Sequence, residues 1–259
     1  MVGTLKNLNR SIERKMNKLI LGDCLSEMKE LNDESIDLIF SDPPYGCTNN
    51  DWDIKPNMFE VWKEWNRIIK SNGAVLVFAD IRFAVDVISA NKKYFRYEWV
   101  VEKNKPTGFL NAHKMPLKSH DLILVFYKHL PTYNPQWTYG KPYKQKVRGN
   151  VSSNYDKTIN TIAVSDGRRY PRDVIKYENN IHKGKHKTSN GHPTGKPKEL
   201  IKYFINTYTN PGDVILDSFM GGGSVGQAAI ELGRDFIGIE KDKNIFKLGK
   251  RNIESVQIV

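Results

Sequence analysis

Ile36-Asp37-Leu38-Ile39-Phe40-Ser41-Asp42-Pro43-Pro44-Tyr45 is an apolar run that stops at a carboxylate, two prolines and an aromatic ring. The run predicts a buried strand. The prolines end it, because each fixes φ, lacks a backbone N–H and biases the preceding residue toward extended backbone. The carbonyls of Asp42 and Pro43 are therefore expected as acceptors in a rigid turn, beside the Asp42 carboxylate. Such a set suits an amino group on a flat ring: its two N–H bonds aim the nitrogen, and Tyr45 offers a stacking face. For the tetrapeptide alone, a strand-ending turn with a helix-capping Asp is an equally good reading.

Further along, Asp213 to Asp217 (DVILD) is a second short apolar run, followed by Ser218-Phe219-Met220-Gly221-Gly222-Gly223-Ser224. A helical stretch, Val225 to Leu232, comes next and is closed by Gly233. Strand, glycine turn and helix follow one another, and the glycines let a ligand lie against the backbone. A third run, Phe236 to Ile239, ends in Glu240, and a fourth, Lys18 to Gly22, ends in Asp23. Acids thus close four predicted strands. In an open α/β sheet the ligand crevice lies outside the strands' carboxyl ends, so a ligand rich in hydroxyl and amino donors, or positively charged, is expected. Glu240, seventeen residues beyond Gly223, is placed for a ribose diol. Gly221, Gly223 and Gly226 also satisfy G-x-G-x-x-G, which keeps a nicotinamide or flavin dinucleotide open as an alternative. A dinucleotide site gives the Asp42–Tyr45 turn no role.

These residues resemble the amino-group DNA methyltransferases that use S-adenosylmethionine. The resemblance is to the permuted, beta-type class of phages and restriction-modification systems, in which the catalytic motif precedes the cofactor loop. It spans roughly Asn17 to Ile253. Asp42 to Tyr45 looks like the catalytic motif, Asp217 to Gly223 like the cofactor loop, and His192-Pro193-Thr194-Gly195-Lys196-Pro197 like the segment that precedes it; Gly195 stands where many relatives have glutamine. Asn49 to Asp53 and Asn104 to Lys128 also look typical. The resemblance implies a Rossmann-like α/β sheet with circularly permuted motif order and an inserted basic target-recognition region. It implies Asp42, Pro43, Pro44 and Tyr45 as catalytic residues acting on a flipped base without a covalent intermediate. For S-adenosylmethionine it implies Asp23 at the adenine, Glu240 at the ribose, and Asp42, Thr194, Lys196, Asp217, Phe219, Gly221, Gly223 and Ser224 at the methionine end and adjoining walls. Aspartate in the motif's first position points to N6 of adenine, with N4 of cytosine as the alternative. A homodimer and a cognate restriction endonuclease are further implied partners.

At 259 residues the chain can bury one α/β core and carry an insertion. Residues 1–15 read as an N-terminal extension, 16–127 as the catalytic half, 128–191 as the target-recognition insert and 192–259 as the cofactor half. No run of about eighteen apolar residues suggests a membrane span, and the first twenty residues do not read as a secretory signal, so cytoplasmic residence is expected. Cys24 and Cys47 are too few for a disulfide framework or thiolate metal site. Cys47 follows Gly46 rather than proline and reads as a small residue beyond the turn, not as a nucleophile. His182 and His186 sit at helical metal-ligand spacing, but Gly184 and flanking lysines suggest a loop, and no metal is expected.

Charge identifies the partner. The chain carries 40 Lys plus Arg against 29 Asp plus Glu; residues 128–198 hold fifteen basic and four acidic side chains, leaving 25 of each sign elsewhere. The whole surplus of +11 lies in that segment. It interleaves Tyr133, Trp137, Tyr139, Tyr143, Tyr155, Tyr170 and Tyr177 with Lys144, Lys146, Arg148, Arg168, Arg169 and Arg172, cations for phosphate and flat rings for bases. Double-stranded DNA is the expected partner. Other classes are a dinucleotide oxidoreductase, a DNA-binding protein without catalysis and an RNA-directed methyltransferase.

Strands are predicted near Leu19–Leu21, Asp37–Phe40, Ala74–Phe78, Tyr97–Val101, Leu122–Tyr127, Val214–Leu216 and Phe236–Ile239. Helices are predicted at Phe59–Lys70, stopped by Asn72-Gly73, at Ile81–Ala90 and at Pro197–Thr207.

Overall fold

A computed structural model describes residues 17–47, 53–149, 160–177 and 196–256. The expected extension, His182, His186, Tyr155 and residues 192–195 with Thr194 lie outside the described residues.

One eight-stranded sheet organises the fold. Its strands, in chain order, are β1 (Lys18–Leu21), β2 (Ile36–Ser41), β3 (Ile69–Ala79), β4 (Phe95–Thr107), β5 (Lys118–Phe126), β10 (Val174–Tyr177), β11 (Val214–Asp217) and β12 (Asp235–Glu240). Their spatial order is β1-β12-β11-β2-β3-β5-β4-β10, and only β5 runs antiparallel to its neighbours. The chain steps outward from β11 to β12 on one side and from β2 to β3 on the other. The strand order therefore reverses between β11 and β2, where a doubly wound sheet opens its crevice.

Helices cover both faces. On one lie α1 (Cys24–Met28), α2 (Met58–Ile68) and α3 (Ile81–Ala90), which bury Met28, Trp62, Trp65, Phe83 and Val87 against Ile39, Val77 and Ile239. On the other, α4 (Lys198–Tyr208), α5 (Ser224–Glu231) and α6 (Lys243–Glu254) bury Phe204, Ile205, Ala228 and Ile253 against Phe40, Leu76 and Phe236. α2 buries Val61, Trp62, Trp65 and Ile68, and α4 buries Leu200, Ile201, Phe204 and Ile205.

The end of α2 differs from expectation. The helix stops at Ile68, and Ile69 both caps it and opens β3, so Asn72-Gly73 lies inside a strand. Gly73 packs tightly there, because a Cβ would meet the Ile69 side chain at 2.8 Å and the Asp37 carbonyl at 2.9 Å.

The basic insert forms two small antiparallel pairs. β6 (Thr138–Tyr139) pairs with β9 (Arg168–Arg169), and β7 (Tyr143–Val147) pairs with β8 (Thr161–Ser165). Its last strand, β10, returns to the main sheet beside β4, so residues 128–191 are not wholly outside that sheet. No helix among the described residues is long and apolar enough to cross a membrane.

Candidate active site

Because β1, β12, β11 and β2 are adjacent and parallel, the acids that close them gather at one edge of the sheet in the order Asp23, Glu240, Asp217, Asp42. A single cavity of about 400 Å³ opens there, lined by Asp42, Pro43, Pro44 and Tyr45 on one side and by Phe219, Gly221, Ser224 and Glu240 on the other. Asp23, Lys196 and Asp217 also reach its wall. The proline turn and the glycine loop thus face one space.

Asp42 has both oxygens engaged. The Tyr45 hydroxyl donates to Oδ1 at 2.7 Å, and Lys196 Nζ lies 3.3 Å from Oδ2. Burial first, and Asp42 second, push the Tyr45 phenol well above its usual range, which keeps it a donor. One face of the Tyr45 ring is stacked on Phe83, centroids 5.0 Å apart, so a substrate ring has only the other face to use. Lys196 rests over the Phe78 ring at 4.9 Å and reaches toward Tyr45 at 5.9 Å.

Asp53, buried at the cavity wall, braces the turn. Its carboxylate accepts the backbone N–H of Gly46 at 2.9 Å and of Cys47 at 2.8 Å, where Gly46 takes the left-handed φ of 68°. Burial pushes the Cys47 thiol up and Asp80 adds to this, so Cys47 is no activated nucleophile.

Asp217 sits in a buried polar network that sequence reasoning missed. Ser41 Oγ donates to Asp217 Oδ1 at 3.0 Å and accepts the Ser218 N–H at 3.1 Å; Trp65 Nε1 donates to Ser218 Oγ at 3.1 Å. The Phe219 N–H adds a further bond to Asp217 at 3.1 Å. Burial dominates and pushes this carboxyl up to about 7, despite the hydrogen bonds that favour its charge. The available signal was a serine, Ser41, ending an otherwise apolar strand.

Glu240 shapes the glycine loop directly. It accepts the Gly221 N–H through Oε2 at 2.9 Å and the Asp242 N–H through Oε1 at 2.8 Å. Asp23 spends Oδ1 capping α1, on the N–H groups of Leu25 and Ser26. Gly223 is set back from the cavity: it caps α5 with φ 81°, and a Cβ there would meet the Gly249 carbonyl at 2.9 Å. The closeness of Gly249 and Ile253 leaves no room for a side chain at that position.

Of the cationic candidates in the insert, Lys144 and Lys146 share one face of β7 and are exposed, as are Arg148, Arg168 and Arg172. Arg168 lies over Trp137 at 5.4 Å and pairs with Asp166. Arg169 departs from expectation. It lies over Tyr143 at 4.8 Å and donates to Ser165 Oγ and the Lys141 carbonyl, which ties the two small sheets together and leaves little of it for a phosphate. Among the described residues no group of three His, Cys, Asp or Glu side chains could hold a metal ion.

Over residues 36–251 the chain matches the N6/N4 DNA methylase family. It belongs to that family. A DNA adenine methyltransferase of Escherichia coli K12, YhdJ, is 28% identical over 91% of this chain and 82% of its own length. The type II methyltransferase M.HinfI of Haemophilus influenzae is also 28% identical, over 96% of this chain and 72% of its own length. Among solved structures, the M1.HpyAVI–SAM complex superposes with a TM-score of 0.62 at 24% identity, covering 92% of this chain and 99% of its own. The cytosine-N4-specific PvuII DNA methyltransferase gives 0.67 at 16% identity, covering 94% and 89%. These likenesses establish the Rossmann-like methyltransferase sheet.

Proposed function

We propose that this DNA methylase transfers a methyl group from S-adenosylmethionine to N6 of adenine in duplex DNA, as a member of the permuted class in which the Asp42–Tyr45 motif precedes the cofactor loop. The observation that carries the reading is the single cavity shared by that turn and the glycine loop. A relative named as a DNA adenine methyltransferase, YhdJ, supports the choice of base.

The residues present fit the cofactor. Gly221 has φ 51°, and a Cβ there would meet only the Phe219 carbonyl oxygen, at 3.9 Å, so its backbone can lie against a ligand. Asp217, Glu240 and Asp23 surround that position with acceptors for amino and hydroxyl groups. When bound, S-adenosylmethionine supplies an electrophilic methyl group on a positively charged sulfur. The acids of this crevice favour that charge, and Phe219 and Ser224 wall the methionine end. Lys196 and Thr194 belong to the segment assigned to the same end.

On the substrate side, the Asp42 carboxylate and the Pro43 carbonyl accept the two hydrogens of the adenine amino group. They favour a pyramidal nitrogen and oppose the positive charge that develops on it. Holding that nitrogen at attack distance supplies much of the remaining acceleration. The base leaves the duplex to reach the cavity, with the Tyr45 face opposite Phe83 as its platform. Lys144, Lys146, Arg148, Arg168 and Arg172 neutralise phosphates from the insert, residues 128–191, which acts as the target-recognition region. A homodimer, a cognate restriction endonuclease and cytoplasmic residence complete the reading.

Expression in a host lacking DNA methylation, with modified bases mapped by sequencing, tests it. N6-methyladenine within one recurrent sequence is the expected result; N4-methylcytosine would correct the base, and unmodified DNA would reject the activity.

A further inference from the structure

β4, the longest strand of the sheet, and β5 form a hairpin that overruns the catalytic edge. Ala79, the last residue of β3, pairs with Leu122, and the β4–β5 ladder continues beyond it to Thr107 and Lys118. Lys118 is four positions from Leu122, so at a strand rise of ~3.3 Å the hairpin overhangs by about 13 Å. It does so on the side of the proline turn. β5 lies against β3, which pairs with β2, so the overhang rises two strands away from the Asp42–Tyr45 turn.

The tip of this hairpin is apolar and rigid. Leu110 is 92% exposed, Phe109 67% and Met115 55%, a degree of exposure that a core-forming side chain would not show. They are carried by a short 3-10 turn, Phe109–Asn111, entered through Gly108 at φ 92°. The Asn111 N–H bonds to the Gly108 carbonyl at 2.9 Å, and the Met115 N–H to the Asn111 carbonyl at 3.0 Å. Pro106 and Pro116 stiffen the stems. Lys103 and Lys118 converge on Asp121 at 3.2 and 3.5 Å and fasten the base of the hairpin.

The charge around the tip selects its occupant. Lys103, Lys105, Lys114 and Lys118 fall in a stretch, 103–120, without a single Asp or Glu. Lys105, Lys114 and Lys118 are exposed. The insert of a second copy, which holds all of that chain's surplus of +11, would meet like charge here. A nucleic-acid backbone would meet complementary charge, and its base stack would accept the apolar tip.

We propose that Phe109 and Leu110 form a wedge that enters the DNA stack beside the target base and holds the gap open while that base occupies the cavity. The wedge rests on the methyltransferase reading above. Apolar side chains pushed between base steps meet an unstacking cost, and a wedge already ordered before contact loses little entropy on insertion. Lys105 and Lys114, exposed beside the tip, fix the hairpin on the flanking phosphates. Phe109 and Leu110 are positioning residues, because they touch neither the cofactor nor the reacting nitrogen.

The test uses the full chain and duplex oligonucleotides bearing the sequence found by methylation mapping, with the target base either paired or opposite an abasic site. A target that has lost its partner needs less help to leave the stack. For the double variant Phe109→Ala, Leu110→Ala, methyl incorporation is expected to fall by about tenfold on the paired duplex and by less than about twofold opposite the abasic site. Leu110→Met should restore the single variant Leu110→Ala, since any apolar chain of similar volume can fill the gap. Unchanged turnover of the paired duplex, or an equal loss on both duplexes, overturns the wedge. A change of sedimentation coefficient in the double variant would assign the tip to a second copy instead. Failure of the unaltered protein to methylate either duplex would reject the parent reading and the wedge with it.

Discussion

Lys196 Nζ lies 3.3 Å from Asp42 Oδ2, across 154 positions of sequence, and joins the approach to α4 to the turn that closes β2. The Tyr45 hydroxyl holds the other oxygen. An amino group arriving at Asp42 therefore replaces an existing partner rather than meeting a bare carboxylate. Asp42→Ala removes the acceptor from the reacting centre and leaves the glycine loop intact. Methyl transfer should fall by about 10²–10³-fold, a loss typical of deleting a charge-stabilising group. Cofactor affinity, read by calorimetry, should stay largely unchanged; a large loss of affinity would assign Asp42 to cofactor binding alone.

Asp217 should make cofactor binding depend on pH. Burial raises its folded pKa from 3.8 to about 7, so the neutral form dominates below that point. A cationic ligand favours the carboxylate, and affinity should rise about tenfold between about pH 6 and about pH 8 as the charged fraction grows. Stability moves the other way. The folded state binds this proton more tightly than the unfolded one, so the contribution of Asp217 falls as pH rises from near 4 to about 7 and is flat above. Asp217→Asn should flatten both profiles, and calorimetric titrations with melts across that range check each.

Ser41→Ala would strip a donor from buried Asp217 and an acceptor from the buried Ser218 N–H. Leaving buried polar groups unpaired costs about 1–3 kcal/mol each. A melting temperature lower by several degrees is expected at neutral pH, whereas an unchanged one would mean that the network contributes nothing.

Lys144→Ala with Lys146→Ala should weaken binding to any duplex and reduce the slope of log affinity against log salt by about 0.9 for each phosphate left unneutralised. Arg169→Ala should behave differently, because its bonds are internal to the insert. Loosening of β6 and β9, seen as faster amide exchange, is the expected signature, with a smaller effect on the salt slope than either lysine.

The site was legible where a residue type restricts the backbone by itself. Pro43 and Pro44 announce a strand end without reference to any partner, and the glycines after Asp217 announce a close turn. The spacing of Val61, Trp62, Trp65 and Ile68 likewise fixes which side of α2 is buried. Pairings between distant segments left no such mark. β10 is four residues long and finds its register with Val100–Lys103 through the fold. Thr138–Tyr139 meets Arg168–Arg169 only because the insert doubles back. The net charge also concealed the hairpin tip, since its lysines are offset by acids elsewhere in the chain. Asn72-Gly73 misled for a different reason: β3 tolerates a turn-forming pair where Gly73 must fit against Asp37.

The return of β10 to the sheet constrains any exchange of specificity between such enzymes. Val174–Tyr177 shields the outer rim of β4, so a graft that removes everything between the two catalytic halves would bare a long, unpaired strand margin open to aggregation. Chimeras should be cut before Val174, leaving that short strand with its host.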